Sequence, residues 1–339
     1  MTDDTMLPMP NIDRKQLIIY SIVLAIVLTG IYRNTFGLKT YSDQKFILHT
    51  QTEILVLSRS EQQAQIAIAK AFVRIAEIDA IANFFDPKSE LSKINQGAAF
   101  KEMPVSSDLY TMLKKSMWGS EVTDGAFDIT STPLTRLYGF GTDTYRIPSK
   151  TEVNKAIQLV NYKKVRVNDK KHTVRFMHKG IKLDLGGIAK GYAVDEAVKV
   201  LRANGIRSGF VNAGGNIYAL GRTKNLTSWK IGIRHPRDPN KIIDIISLKD
   251  SAVATSGDYE QYFIKGHRRY HHIMNPKTGT SATGMISDTI LAPDAMTCDV
   301  LSTGVFVLGP TQGAALLKKL GYKAILIYAK DKELGIEKI

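Results

Sequence analysis

The sequence predicts an α+β protein built largely on antiparallel sheet and preceded by one membrane-spanning helix. Three observations carry that reading. Strand patterns cluster between helical ones and are joined by hairpin turns such as Asn168-Asp169 and Gly214-Gly215, which argues against a doubly wound parallel sheet. An uncharged apolar run, Leu17–Tyr32, stands near the N-terminus. No self-similarity recurs at a period of roughly 20–50 residues, so the chain is not a repeat array.

At 339 residues, 44% hydrophobic and 23% charged, the chain has the composition of a globular protein with a sizeable core. Its net charge of +14 suits an anionic ligand, an acidic protein partner or an anionic membrane surface. The basic residues are spread along the chain, with no zinc-knuckle spacing, RNP-like aromatic run or DNA-reading helix, which argues against a nucleic-acid partner. A single cysteine, Cys298, excludes an intrachain disulfide and a multi-cysteine zinc site; with no base among its neighbours it reads as a buried small apolar residue.

Residues 1–16 read as a polar cytoplasmic N-terminus and 17–33 as a signal-anchor helix. The sixteen uncharged residues of Leu17–Tyr32, extended by Arg33, just meet the length needed for a span. A cleaved signal peptide is the alternative, but Arg33-Asn34-Thr35-Phe36 makes a poor cleavage site. Arg14 and Lys15 before the run place the N-terminus in the cytoplasm and the remainder on the periplasmic or exterior side. Residues 34–45 read as linker, and 46–339 as the folded domain.

Within that domain, Phe46–Leu57 alternates loosely as a strand. Ser60 and Gln63 form a capping box for a helix with Ile68, Phe72, Ile75, Ile78 and Ala82 on its core face. Phe84-Phe85-Asp86-Pro87 then turns the chain into Ser89–Asn95 (SELSKIN); its two aromatics form either a hydrophobic plug, the simpler reading, or a stacking surface for a planar ring. Asp108–Val122 is a second helix, closed by Thr123-Asp124-Gly125. Ala126–Gly141 is too rich in Gly, Phe, Asp and Thr for an ordinary strand; a short helix, Thr151–Val160, and a hairpin, Val165–Phe176, follow.

A short apolar strand, Ile181–Leu185, then runs into Gly186-Gly187, and a helix leaves at once with Lys190 near its start. Val194, Ala197, Val198 and Leu201 recur at helical spacing, and Asn204-Gly205 supplies the stop. Paired glycines let backbone come close to a ligand, and a helix start favours an anion, yet a tight βα turn that binds nothing reads equally well from this stretch alone. Gly209–Gly221 is strand, Gly-Gly turn, strand; Trp229–Ile233 is a strand ending at His235-Pro236; Ala252–Ala254 leads into Thr255–Phe263 and then Arg268–Gly279. A helix from Asp294 to about Leu308 and a strand, Ala324–Ala329, precede a charged tail.

Asp299 and Thr303, four apart on one helix, present oxygens to the same side. One carboxylate and one hydroxyl suit Mg²⁺, which keeps waters and borrows backbone and phosphate oxygens; the bland alternative is a threonine bonded back to a helix carbonyl beside a surface aspartate. His271-His272 lies close in sequence to Ser256, Asp258 and Tyr262, but no G-x-S-x-G elbow accompanies a hydrolytic triad. Hydrogen bonding to a polar ligand, or proton transfer near neutral pH, is the better reading of that pair.

In order along the chain, SELSKIN, DGAFDIT with TPL and YGFG, DLGGIAKGYAVD, VNAGGNI, GIRHPR, AVATSGDYE, YHHIMNPKTG and APDAMTCDVLSTGVFVLG closely resemble the ApbE family of FAD:protein FMN transferases, over about Phe46 to Leu320. That resemblance implies a T-fold-like α+β domain binding FAD with Mg²⁺ in a cleft. It also implies transfer of the FMN half of FAD, through a phosphoester bond, to a Thr or Ser hydroxyl of an acceptor protein, with release of AMP. By position it assigns FAD contacts to Phe85, Ala126, Phe127, Asp128, Asp184, Lys190, His272 and Ile273. It assigns the metal to Asp299 and Thr303 side chains, with backbone oxygens at Gly187 and Met296. His272 or Asp258 is then the expected proton acceptor. Acceptors are expected among membrane redox-complex subunits. Two departures stand out: Thr50-Gln51-Thr52 where the family commonly has Met-Gly-Thr, and Asn275 where it has Asp. An FAD pyrophosphatase yielding FMN and AMP, or a flavin-binding protein without turnover, are the alternative functions.

Overall fold

The computed structural model describes residues 13–142, 144–330 and 333–339, with backbone alone over 29–36. Most of the expected cytoplasmic segment, 1–12, and the side chains of Tyr32 and Arg33 therefore lie outside the described residues. Helix α1 (Arg14–Phe36) opens with Asp13 and Gln16 in a capping box. Strands β1 (Lys39–Ile47) and β2 (Thr50–Ser58) follow, then α2 (Glu61–Ala82), α3 (Glu90–Gly97), β3 (Met103–Pro104), α4 (Ser107–Val122), α5 (Thr132–Leu137) and α6 (Lys150–Ile157). Next come β4 (Val165–Asn168), β5 (Thr173–Phe176), α7 (Ala189–Ala203), β6 (Gly209–Ala213), β7 (Asn216–Leu220), β8 (Trp229–His235), β9 (Asp238–Leu248) and β10 (Ser251–Gly257). The chain ends with β11 (Tyr262–Lys265), β12 (Arg268–His271), β13 (Met285–Ala292), α8 (Ala295–Leu320), β14 (Lys323–Lys330) and β15 (Glu333–Lys338).

An eight-stranded sheet, in the order β1-β2-β6-β7-β10-β13-β14-β15, forms the scaffold, and every pairing in it is antiparallel. The expected α+β class with antiparallel sheet and flanking helices is what forms. Alternate residues of the central strands feed two cores. Ala324, Leu326 and Ile290 pack with Leu301, Val305 and Phe306 of α8 on one side. Ile325 and Ile327 meet Ile233 and Ile246 of the β8–β9 hairpin on the other. On the helical side α2 packs on α7 and α7 on α8, and Ile68, Phe72, Ile75, Ile78 and Ala82 are all buried as their spacing predicts.

Several expected elements are corrected. Phe46–Leu57 is not one strand: Leu48 and His49 both take φ 56°, a two-residue hairpin turn without the usual Gly or Asn signal. Residues 39–45, expected as linker, are consequently strand β1. Ser60 caps α2, but Gln63 does not complete the box, because its amide reaches Asn204 O at 3.0 Å. Ile181–Leu185 pairs with no strand; instead Asn95 of SELSKIN grips Leu183 from both sides, donating to its carbonyl (2.8 Å) and accepting from its amide (2.7 Å). The helix expected to end at Leu308 breaks there, at Gly309 (φ 77°) and Pro310, then resumes to Leu320. The charged tail forms β15 on the sheet edge. Helix α8 is long and apolar enough to cross a bilayer but lies in the core, with Cys298, Val300, Leu301 and Phe306 fully buried.

Candidate active site

Two helix starts meet at the site. Helix α7 begins at Ala189 with no side-chain cap; the Ala189 amide bonds to Leu185 O at 2.8 Å, and the Gly191 amide finds a partner outside the helix. That partner is Asp299: its Oδ2 accepts the Gly191 amide at 3.0 Å. In return, Asp195 of α7 accepts the amides of Ala295 and Met296, at 2.8 and 2.9 Å, in the first turn of α8. Burial pushes the Asp195 carboxyl up to about 7 against those two amides. Gly191 permits the close crossing, since a Cβ there would lie 2.4 Å from the Ala295 carbonyl oxygen.

The Gly186-Gly187 turn and α8 therefore share one corner. A Cβ on Gly187 would sit 3.1 Å from Thr303 Oγ1, so bare backbone faces that hydroxyl. Asp299 is 4% exposed and Thr303 half-buried one turn on. The Thr303 hydroxyl makes no hydrogen bond among the described residues, whereas Thr111, Ser116 and Thr123 all bond back to carbonyls of their own helix. That contrast separates Thr303 from the ordinary helical threonine. Lys190 completes the corner: its Nζ donates to Gly186 O at 2.7 Å and lies 3.7 Å from Asp299 Oδ1. No group of three His, Cys, Asp or Glu residues that could hold a metal occurs among the described residues. A cation here would rest on one carboxylate, one hydroxyl and main-chain oxygens, which fits a hard divalent ion that also borrows phosphate oxygens. Met296, the other expected main-chain ligand, lies in the first turn of α8, where Asp195 holds its amide.

Positive charge and aromatic surface continue from this corner. Asp184 accepts the Gly186 amide at 2.8 Å; burial raises its pKa, opposed by that amide, Lys190, Arg136 and His49. Phe84 is partly buried as a plug, but Phe85 is 51% exposed, so the plug reading fails for the second ring. Phe85 sits edge-on to His49 at 5.4 Å, with the Arg136 guanidinium 5.6 Å from its centroid. His49 and Arg136 are thus site residues that sequence reasoning missed. The first hides in a turn read as strand, and the second lies unremarked between the TPL and YGFG segments. A cavity of about 400 Å³ behind Phe84 shares Arg136 with this surface but contains none of Gly187, Asp299 or Thr303.

The His-His pair divides. His271 is turned inward, its Nε2 2.9 Å from Ala282 O, and burial lowers its pKa. His272 is half-buried, its pKa pushed down to about 4 by desolvation, with the charge of Lys190 adding to the effect. Its Nδ1 lies 3.3 Å from Gln261 O; a carbonyl can only accept, so the neutral ring carries its proton on Nδ1 and leaves Nε2 as a base.

Other expected site residues are engaged elsewhere. Asp258 is gripped at both oxygens by Arg237 (2.6 Å each) and by Arg269 (3.0 Å), so it sits in an ion-paired cluster. Ser256 bonds to Ser302, so no hydrolytic triad assembles. Asp128 accepts from Thr130 N and Oγ1 in its own turn and from the distant Tyr162 N. Ala126, Phe127 and Ile273 point into the core, Phe127 beside Gly187, so ligand contact from these positions falls to main chain. Asn275 accepts from the Lys277 and Thr278 amides, so the Asp-to-Asn departure keeps the turn.

The chain is similar to known proteins over most of its length. The family model "ApbE family" matches residues 48–326. A protein of Treponema pallidum named FAD:protein FMN transferase is 30% identical over 307 residues, covering 86% of this chain and 85% of its own. One of the same name from Vibrio cholerae is 32% identical over 263 residues, covering 76% and 78%. Among solved structures, the ApbE protein of Thermotoga maritima superposes with a TM-score of 0.82 at 35% identity, covering 88% of this chain and 97% of that one. The flavin transferase ApbE from Vibrio cholerae gives 0.81 at 26%, covering 89% and 97%.

Proposed function

This chain belongs to the ApbE family, and from that premise we infer that it is a flavin transferase, moving the FMN part of FAD onto a protein acceptor. The acceptor hydroxyl, of Thr or Ser, attacks the phosphorus on the riboflavin side of the diphosphate. The P–O bond to the adenylate breaks, AMP departs with the bonding pair, and a phosphoester joins FMN to the acceptor.

The observation that carries the reading is the corner where Asp299, Thr303, the Gly187 backbone and Lys190 converge. Asp299, Thr303 and the Gly187 main chain are the groups that would hold Mg²⁺. Bound there, the ion would draw charge from the diphosphate and so ease attack on it. Lys190, 3.7 Å from Asp299, neutralises further phosphate charge. Phe85 offers a face for a planar ring, Arg136 adds positive charge beside it and the His49 ring packs against it. His272, neutral with Nε2 free, takes the proton of the attacking hydroxyl.

The same proposal places the domain outside the cytoplasm on a tether, with acceptors among membrane redox complexes. Helix α1 runs 23 residues, about 35 Å at 1.5 Å per residue, and its apolar side chains from Leu17 to Leu28 face outward. Mass spectrometry of the mature N-terminus distinguishes a retained anchor from a cleaved leader. Incubating the full chain in detergent with FAD, Mg²⁺ and a candidate acceptor tests the activity. Covalent flavin on the acceptor with one AMP per transfer is expected; free FMN and AMP alone would make it a pyrophosphatase, and intact FAD a binding protein.

A further inference from the structure

The β11–β12 hairpin is a two-stranded arm outside the main sheet, joined to the site at its base. Gln261 and His272 flank it, and both the amide and Nδ1 of His272 meet the Gln261 carbonyl, at 3.1 and 3.3 Å. A chain lying along this arm therefore runs toward the Nε2 base.

Three features of the arm point to a partner. One face is a ladder of rings: Phe263 stacks on Tyr145 (5.0 Å) and on Tyr270 (5.1 Å), and Phe140 links it to His272 (6.4 Å). These contacts make it stiff for so short a hairpin. Its outer strand edge is open, because no hydrogen bond except those to β12 engages the backbone of β11 among the described residues, and Ile264 is 63% exposed there. On the β12 side, by contrast, Ser281 Oγ occupies His271 from both its amide and its carbonyl. The tip is cationic. Arg234 nearby pairs with Glu260, and Arg237 and Arg269 share Asp258, whereas Lys265 and Arg268, opposite each other in register, have no carboxylate partner among the described residues. The Arg268 guanidinium lies 5.1 Å from the centroid of the Tyr270 ring, which holds it at the tip without cancelling its charge. An open edge with an apolar side chain and two cations lacking carboxylate partners among the described residues is built to add a strand and select its charge.

We propose that the outer edge of β11 receives an extended, carboxylate-bearing segment of the acceptor protein, which pairs as a third strand and presents its hydroxyl at His272. This rests on the transferase reading above and adds to it where the acceptor docks and what chemistry it carries. The test compares two fluorescein-labelled extended peptides, each with one threonine, one rich in aspartate and the other with lysine at the same positions. Binding to the full chain in detergent is followed by anisotropy, and FAD binding by flavin fluorescence. The aspartate peptide should bind in preference, lose about tenfold or more in affinity in Lys265→Glu/Arg268→Glu, and weaken with salt, while FAD binds that variant as before. Equal binding of the two peptides, no binding of either, or an unchanged affinity in the double variant would overturn the docking site. A wild-type enzyme that releases FMN and AMP without ever labelling an acceptor would instead overturn the transferase reading, whatever the peptides do.

Discussion

Asp195 and Asp299 each hold the start of the other's helix: Asp195 on α7 accepts the first amides of α8, and Asp299 on α8 accepts the Gly191 amide of α7. Each carboxylate lies at the positive end of a helix dipole, and together they fix the two elements that form the site. The crossing depends on Gly191. In Gly191→Ala the new Cβ meets the backbone carbonyl of Ala295, which cannot swing aside as a side chain would. A loss of about 1–3 kcal/mol in stability is expected, together with a fall in transfer rate as α7 and α8 separate. Thermal unfolding with and without FAD, alongside kinetics, measures both, and a variant with wild-type melting and rate would refute the close-crossing argument.

Asp299→Asn and Thr303→Ala remove the side-chain oxygens of the corner. Each should lower transfer by roughly 10²–10³-fold, the scale of several kcal/mol of lost charge stabilisation, and excess chelator should abolish transfer by the wild type. Calorimetric titration with Mg²⁺ in the presence of FAD provides a readout independent of turnover. Full activity in excess chelator would remove the divalent ion from the mechanism.

The base assignment has a pH signature. His272 has its pKa lowered from 6.5 to about 4 in the folded protein, so it binds fewer protons folded than unfolded between those values. Its contribution to stability is therefore full above the unfolded value and is lost as pH falls from about 6.5 toward 4. The same value predicts a kcat/KM profile that is flat through neutrality and falls with an inflection near 4, where an unperturbed histidine would show it near 6.5. His272→Ala should lower the rate by roughly 10²–10⁴-fold and erase that limb. Asp258→Asn should leave the limb in place and act on stability, since it leaves Arg237 and Arg269 short of a counter-charge. A limb that disappears in Asp258→Asn and survives in His272→Ala would reverse the assignment.

Phe85 is half exposed and carries little of the core, so Phe85→Ala should change the melting temperature slightly. If its ring stacks on a planar group of FAD, the variant should raise the KM for FAD by about 2- to 13-fold, the scale of one aromatic contact, with kcat nearly unchanged. An unaltered KM would assign Phe85 to the surface alone.

What the sequence determined by itself lies wherever physics is local. Apolar spacing gave α2 and α7 their buried faces, Gly214-Gly215 gave a hairpin turn, and the ordered blocks around Asp184, Lys190, Asp299 and Thr303 gave the family. Neighbours in sequence set the periodicity and the turn chemistry, so no distant contact was needed to read them. Tertiary structure decided which carboxylates were still available for chemistry. Asp128, Asp258 and Asp299 look alike in a sequence, yet one is bonded to its own turn and to Tyr162, and one to two arginines distant from it in sequence. Of the three, Asp299 meets the start of another helix and the Lys190 ammonium, one turn before Thr303, which faces the Gly187 backbone. His49 and Arg136 became site residues for the same reason, and Asn95 came to brace the strand-like segment at Leu183. A polar side chain's role is fixed by which partners satisfy its hydrogen bonds, and in a sheet assembled from distant strands those partners are settled only when the chain has closed on itself.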